Sequence, residues 1–443
     1  MRFFNLPARL HFSILLAVLI SCVNIVKAQT KEQTLHNLNS LLVNVVMDDL
    51  FPPPIASRIY TYPNIAFYEC IRYENNDLPP LYGKLNGLPQ MPKPLKNNNT
   101  DYFLAAVVAY AQVAKTLVGS EYRIEDWRMA FLDSVKKNTD TSFYTNSVQY
   151  GQQVAEAIIN WLKKDYYLES RGLMRHVTAT KPGNWQPTPI DFVQGLEPNW
   201  GKLRPITLQS AGQFSPKVKL VYNMSKQSVF YKNVLQVYTI VKNLDSSKTA
   251  IAWYWDDNPN ISIEDGHFNY YVHKISPGGH WIMITRQACI EKNIAVSKAS
   301  QAYTLVSIAL FDAFISCWHE KYKTDLIRPV TIINRHIDEK WEPLIQTPPF
   351  PEFTSGHAVI SNASAWVLTK LLGDNYSFTD NTEIPFGIQP RRFTSFLKAA
   401  EETAWSRVYG GIHYPETARI SIKQGKEIGE YVVKKLSPPS FKK

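Results

Sequence analysis

Ala302-Tyr-Thr-Leu-Val-Ser-Ile-Ala-Leu-Phe-Asp-Ala-Phe-Ile-Ser-Cys-Trp318 is apolar nearly all round, and a helix without a polar face belongs inside a bundle of other helices. It sits within a longer helical stretch, 295–322, read as the central helix. Around it, apolar spacing predicts helices over about 34–50, 103–118, 150–163, 356–372, 390–408 and 415–436. Strand signals are few and short. The chain therefore reads as all-α, with an N-terminal helical domain over 29–240 and a C-terminal helical bundle over 241–443.

Two proline-rich stretches interrupt the helices. Between 170 and 215, Pro182, Pro187, Pro189, Pro198 and Pro205 exclude regular structure, while Trp185 and Trp200 argue against a free linker. An ordered connection wrapping the surface is expected there. The second stretch holds Pro343, Pro348, Pro349 and Pro351 and leads straight into Thr354-Ser355-Gly356-His357.

The 443 residues, 45% hydrophobic and 19% charged, exclude disordered, collagenous and low-complexity readings. Residues 1–28 read as a secretory signal peptide: Arg2 and Arg9 precede an apolar run, and Val26-Lys27-Ala28 offers a small-residue cleavage site. Lipidation at Cys22 fits less well, because Val23, Ile25 and Val26 stay apolar. The mature chain is expected to be secreted or periplasmic, without a transmembrane anchor. Its moderate, dispersed positive charge favours small anions over nucleic acid, since no aromatic and basic residues interleave. Cys70, Cys289 and Cys317 form no CxxC pair and support neither a disulfide framework nor a zinc knuckle. His267, His273 and His280 recur at intervals of six and seven but lack a metal-binding context, and read as ordinary surface or core residues. A homo-oligomer is compatible with this composition.

Three segments carry the chemistry. Lys321 and Arg328 stand seven apart, two helical turns, and would point the same way if the helix persists toward Pro329. Thr354-Ser355-Gly356-His357 lies where a proline-rich loop becomes a helix, so that a hydroxyl, free N–H groups and the helix dipole can seat an anion. Arg407 and His413 flank Gly410-Gly411, which argues for a turn between them. Each segment alone has a bland reading: a solvated basic helix end, a plain N-cap, an isolated pair. Together they describe a site for a tetrahedral or trigonal-bipyramidal oxyanion, with one histidine as nucleophile or ligand and the other as acid/base.

Lys-x6-Arg-Pro, Ser-Gly-His and Ser-Arg-x5-His, in this order, resemble the three-part signature of the vanadium-dependent haloperoxidase and type-2 phosphatidic acid phosphatase superfamily. Asp312-Ala313 through Lys321, Pro348-Pro349-Phe350-Pro351 and Ser406 to His413 look like vanadium chloroperoxidases of similar size. Upstream, Trp253 to Asp257 and Trp200 to Pro205 resemble secreted bacterial relatives of those enzymes. The resemblance implies helical bundles of that type and a peroxidase that oxidises halide with hydrogen peroxide at a vanadate bound to His413. Lys321, Arg328 and Arg407 would hold the equatorial oxygens, with Ser355 and Gly356 completing the cradle, and His357 would be the acid/base group. Trp318 and Phe350 match pocket-lining positions, the aromatic at Phe350 being of the chloroperoxidase type, and Asp256 matches a carboxylate that pairs with the last arginine.

The alternative implied by the same superfamily is a secreted acid phosphatase. There His413 would attack a phosphoester and His357 would protonate the leaving oxygen, with no cofactor and phosphate in the same cradle. A third reading is a phosphate binder without turnover. Two departures from the family pattern stand out. Thr354 replaces a usual proline and can still begin a helix. Thr417 occupies the place of a usual Asp; Glu416, one residue off, is the candidate substitute, and without one the imidazole would be less well oriented.

Overall fold

The computed structural model describes residues 29–437 apart from 75–77, 95–98, 179–180, 260, 266–267 and 273. Residues 1–28, read above as a signal peptide, with Cys22, and also His267 and His273, lie outside the described residues. In chain order the elements are α1 (Lys31–Asp48), α2 (Pro53–Ile71), α3 (Tyr102–Lys115), α4 (Glu121–Lys136), α5 (Thr141–Leu162), α6 (Tyr167–Arg171), α7 (Val229–Lys242) and α8 (Ser246–Tyr254). The hairpin β1 (Ile261–Asp265) and β2 (Phe268–Val272) precedes α9 (Pro277–Glu291), α10 (Val296–Thr324), α11 (Pro329–His336) and α12 (Gly356–Leu372). A second two-stranded pair, β3 (Phe378–Asp380) and β4 (Arg391–Phe393), precedes α13 (Phe396–Tyr409) and α14 (Pro415–Leu436). The expected helices over 356–372 and 415–436 have these bounds. That over 390–408 begins only at Phe396, because Arg391–Phe393 pairs antiparallel with Phe378–Asp380.

α10 is the central helix. Among the described residues it is long and apolar enough to cross a membrane, but it is buried inside the fold, packed on α2 at one side and α12 at the other. One hydrophobic core runs from Leu35 to Leu436. α2, which apolar spacing does not reveal, starts on Pro53 and Pro54, where proline's fixed φ suits the first turn, and is almost entirely buried in spite of Pro63 in its interior.

The 170–215 stretch is exposed along much of 171–194 but is not confined to the surface. Trp185, Trp200, Ile206 and Leu208 are fully buried, and Asp312 of α10 accepts hydrogen bonds from the backbone N–H groups of Ile206 and Thr207 at 2.6 and 2.8 Å. A buried carboxylate needs such donors, so the connection is threaded into the core. α12 and α14 approach each other closely: a Cβ on Gly425 would lie 2.2 Å from the Val359 carbonyl oxygen, and one on Gly429 2.5 Å from that of Ala363. This contact brings the start of α12, with Ser355 and His357, up to the start of α14, beside His413.

Candidate active site

Lys321 and Arg328 converge, but not along one helix. α10 ends at Thr324, Asp325 adopts the left-handed conformation (φ 50°), and the chain reverses before α11. Arg328 precedes Pro329, which confines it to extended backbone (φ −78°, ψ 153°) at the N-cap of α11. Its side chain turns inward, Nε donating to the Phe350 carbonyl at 2.8 Å and Nη1 to that of Ile412 at 2.8 Å. Lys321 Nζ donates to the carbonyls of Pro351 and Glu352 at 2.9 and 3.1 Å. Phe350 lies against both cations, its ring centre 4.8 Å from Lys321 Nζ and 5.0 Å from the Arg328 guanidinium, and Trp318 packs on Phe350 at 5.0 Å. Burial pushes the Lys321 ammonium down to about 7 and Arg328 to about 10; an anion placed between them would reverse that penalty.

Ser355 occupies the N-cap of α12 but makes no capping bond. Its own N–H donates to Ser421 Oγ at 2.9 Å, while its buried Oγ has no partner. Thr354 does not begin the helix; it is buried one residue earlier and its hydroxyl lies 3.4 Å from Cys317 Sγ. A Cβ on Gly356 would approach the Trp318 ring at 3.4 Å. The Asp256 backbone carbonyl accepts from the His357 ring, and His357 Nε2 is unpartnered. Burial, then the Arg407 charge, holds His357 well below the ordinary histidine range.

Arg407 comes from the last turn of α13. Its Nη1 donates to the Trp255 carbonyl at 2.6 Å, and the Asp256 carboxylate lies 4.0 Å from Nη2, in keeping with the expected pairing. Gly411 (φ 79°) makes the turn that returns the chain to His413. His413 Nε2 faces Arg328 Nη1 at 3.2 Å, and its other nitrogen, Nδ1, donates to Glu352 Oε1 at 2.8 Å.

Glu352 is the residue that sequence reasoning missed, and it corrects the expectation of a poorly oriented imidazole. Fully buried, it accepts from the Tyr414 N–H at 3.0 Å on the same oxygen and from the Thr417 hydroxyl at 2.9 Å on Oε2. Thr417 thus holds the carboxylate instead of supplying it. Glu416 does not substitute: its backbone N–H donates to Asn233 and its carboxylate pairs with Arg419 at 3.0 Å. Burial, then the cations Arg328, Lys321, Arg407 and the neighbouring His357, keeps His413 well below the usual histidine range. His413 is therefore a neutral imidazole with its proton on Nδ1 and a lone pair on Nε2, the form that binds an electrophilic centre.

Four residues of the three segments each leave one buried polar atom unpartnered: Arg328 Nη2, Ser355 Oγ, His357 Nε2 and Arg407 Nε. Buried polar groups are ordinarily satisfied. A compact oxyanion with several acceptor oxygens would satisfy the hydroxyl and the two guanidinium donors, and the donor set fits one. A cavity of about 300 Å³ reaches this place, lined by Phe350, His357, Arg407, Leu196, Pro348 and Pro349 among others. The other aromatic expectations divide: Trp185 and Trp200 are core, whereas Trp405 is half-buried. Arg391 pairs with Glu402 at the edge of the fold.

Comparison with known proteins identifies the family and the fold. Residues 301–439 match the family model described as the VCPO second helical-bundle domain. The protein whose crystal structure is described as that of the first bacterial vanadium-dependent iodoperoxidase is 42% identical, with a TM-score of 0.86 over 92% of this chain and 98% of that one. Holo and apo structures of a bacterial vanadium-dependent chloroperoxidase share the fold at 17% and 16% identity. Their TM-scores are 0.66 and 0.65, over 88% and 87% of this chain and 93% and 95% of theirs. No curated protein matches.

Proposed function

The chain belongs to the vanadium-dependent haloperoxidase family, and from that premise we propose that it oxidises halide with hydrogen peroxide at a vanadate seated on His413, with iodide as its readiest halide. The observation that carries the reading is the set of unpartnered atoms on Arg328, Ser355, His357 and Arg407 around a neutral, carboxylate-oriented His413. Identity to the iodoperoxidase supports iodide; the chloroperoxidases, below a fifth identical, speak only to the fold. Phe350 remains in keeping with a chloroperoxidase-type wall.

Bound there, vanadate supplies Lewis-acid activation of peroxide toward halide. The rest is the work of this chain's own groups. His413 presents Nε2 as the ligand atom, with Glu352 fixing its tautomer. Lys321, Arg328 and Arg407 would offset the charge of the bound oxyanion, and the Ser355 hydroxyl with the Gly356 N–H would complete the seat. His357, neutral and fixed through the Asp256 carbonyl, takes or gives a proton at Nε2. Lys321, fully buried, contacts Phe350, whose ring lines the cavity.

The test uses phosphate-free protein given peroxide with iodide or bromide, with and without orthovanadate, and p-nitrophenyl phosphate alongside. Iodide oxidation that requires vanadate and disappears in His413→Ala is the expected result. Phosphate release that vanadate inhibits, without halide oxidation, would instead make the chain a phosphatase.

A further inference from the structure

One residue beyond the Asp256 carbonyl that holds His357, the chain enters a second buried cluster. Asp257 has a left-handed backbone (φ 38°) and both oxygens of its carboxylate lie 3.1 Å from Nδ1 of His280. His280, in the first turn of α9, is fully buried. Glu383 Oε1 lies 3.6 Å from the same nitrogen, is buried and has no hydrogen-bond partner. The ligand-type atoms of Asp257, His280 and Glu383 all fall within 4.8 Å of one another.

We propose that Asp257, His280 and Glu383 form a binding site for one divalent first-row metal ion, zinc first among them, separate from the oxyanion cradle. Spacing is the first argument. Tetrahedral ligands about 2.0–2.1 Å from a zinc ion stand about 3.4 Å apart. The observed 3.1 and 3.6 Å bracket that distance, and the longer one exceeds a hydrogen bond. Second, the far side of the imidazole is already arranged as in metal sites: His280 Nε2 lies 2.8 Å from Asp380 Oδ2. Asp380 Oδ1 in turn accepts from the Thr382 N–H and hydroxyl at 3.0 and 2.7 Å. Asp380 is thus an orienting carboxylate, and Nδ1, which faces Asp257 and Glu383, becomes the ligand atom when a metal ion replaces its proton. Third, three buried carboxylates are costly without counter-charge. Among the described residues, the ion pairs of Asp257, Asp380 and Glu383 all run to this one imidazole. One nitrogen with carboxylate oxygens suits zinc or manganese better than calcium, which takes oxygen alone; water would complete the coordination.

The ion would also brace the active site. The Trp255 ring stacks on His280 with centroids 4.7 Å apart, the Trp255 carbonyl accepts from Arg407, and the Asp256 carbonyl holds His357. A metal on Asp257 fixes the backbone from which two cradle residues are hung.

The test strips the full protein with a chelator, removes the chelator by gel filtration, titrates in zinc chloride and counts bound zinc by mass spectrometry, with thermal melting in parallel. One zinc per chain and a zinc-dependent rise in Tm are expected. In Glu383→Gln, checked for native circular dichroism, both should vanish. Asp380→Asn should bind about 10–100-fold more weakly, and His413→Ala should bind zinc as the unsubstituted protein does. Folded protein that retains neither zinc nor manganese, zinc surviving Glu383→Gln, or zinc lost with His413 would each overturn the site. None of these readouts depends on halide oxidation, so the two readings fail independently.

Discussion

His413 and His280 are both buried imidazoles with a carboxylate oxygen about hydrogen-bond distance from Nδ1, yet they are driven in opposite directions. Burial pushes both toward the neutral form. Around His413 the cations Arg328, Lys321 and Arg407 push the same way. Around His280, Asp257, Asp380 and Glu383 outweigh burial and raise it well above the ordinary range. The sign of the surrounding charge, not depth, decides which imidazole offers a lone pair to an anion's central atom and which sits in a field that favours a cation. The segment 255–257 belongs to both neighbourhoods, which makes the carboxylate of each histidine the point at which to separate them.

The largest effect is expected at Glu352. Glu352→Leu removes the acceptor of three buried donors, His413 Nδ1, the Tyr414 N–H and the Thr417 hydroxyl. Each orphaned donor costs about 1–3 kcal/mol, so urea unfolding should show a loss of roughly 3–9 kcal/mol. Glu352→Gln keeps an acceptor oxygen and should recover most of that stability. Both substitutions should weaken orthovanadate binding about 10–100-fold, measured by the vanadate dependence of iodide oxidation. Unchanged vanadate affinity in both would show that Glu352 does not orient the imidazole.

A third buried histidine is governed by burial more than by charge. His36 Nδ1 lies 2.8 Å from the Tyr303 hydroxyl, and the Glu32 carboxylate one turn earlier acts on it only weakly against burial. Burial, then Arg286, pushes it down to about 4. The unfolded chain therefore binds the proton more readily between pH 6.5 and about 4. The stability tied to a neutral His36 is present above the unfolded value and lost as pH falls through that window. At most about 3 kcal/mol is at stake. His36→Asn, which can still hydrogen-bond Tyr303, should flatten the stability profile between those two pH values. A slope identical to that of the unsubstituted protein would mean that another group titrates there.

What the sequence makes legible follows the range over which its signals act. Lys321, Arg328, Ser355, Gly356, His357, Arg407 and His413 fall in three short segments whose spacing is itself the signal, and the structure brings them together. The route can still mislead: Lys321 and Arg328 suggest one helix face, but the left-handed Asp325 and the extended residue before Pro329 do the converging. Glu352 is 61 positions from His413, in a proline-rich run without periodicity, and only its being an acid among apolar neighbours could have marked it. His280 meets Asp380 across 100 positions, a pairing no local pattern carries.

Thr417 is where this limit can be probed with the smallest expected effect. The family's usual Asp is absent there, and the sequence alone makes that look like a loss. In the structure the Thr417 hydroxyl donates to Glu352 Oε2, and its backbone carbonyl accepts from Ser421 Oγ at 2.6 Å, while Ser421 Oγ accepts the Ser355 N–H. A single hydroxyl thus steadies a carboxylate that has two other donors. Thr417→Val keeps the shape and removes one of the three bonds, so a loss of about 1–2 kcal/mol in urea unfolding is expected, with vanadate affinity nearly unchanged because His413 still meets Oε1. A fall in affinity as large as that of Glu352→Leu would show that the carboxylate depends on Thr417 for its position, and that the two positions act as one relay.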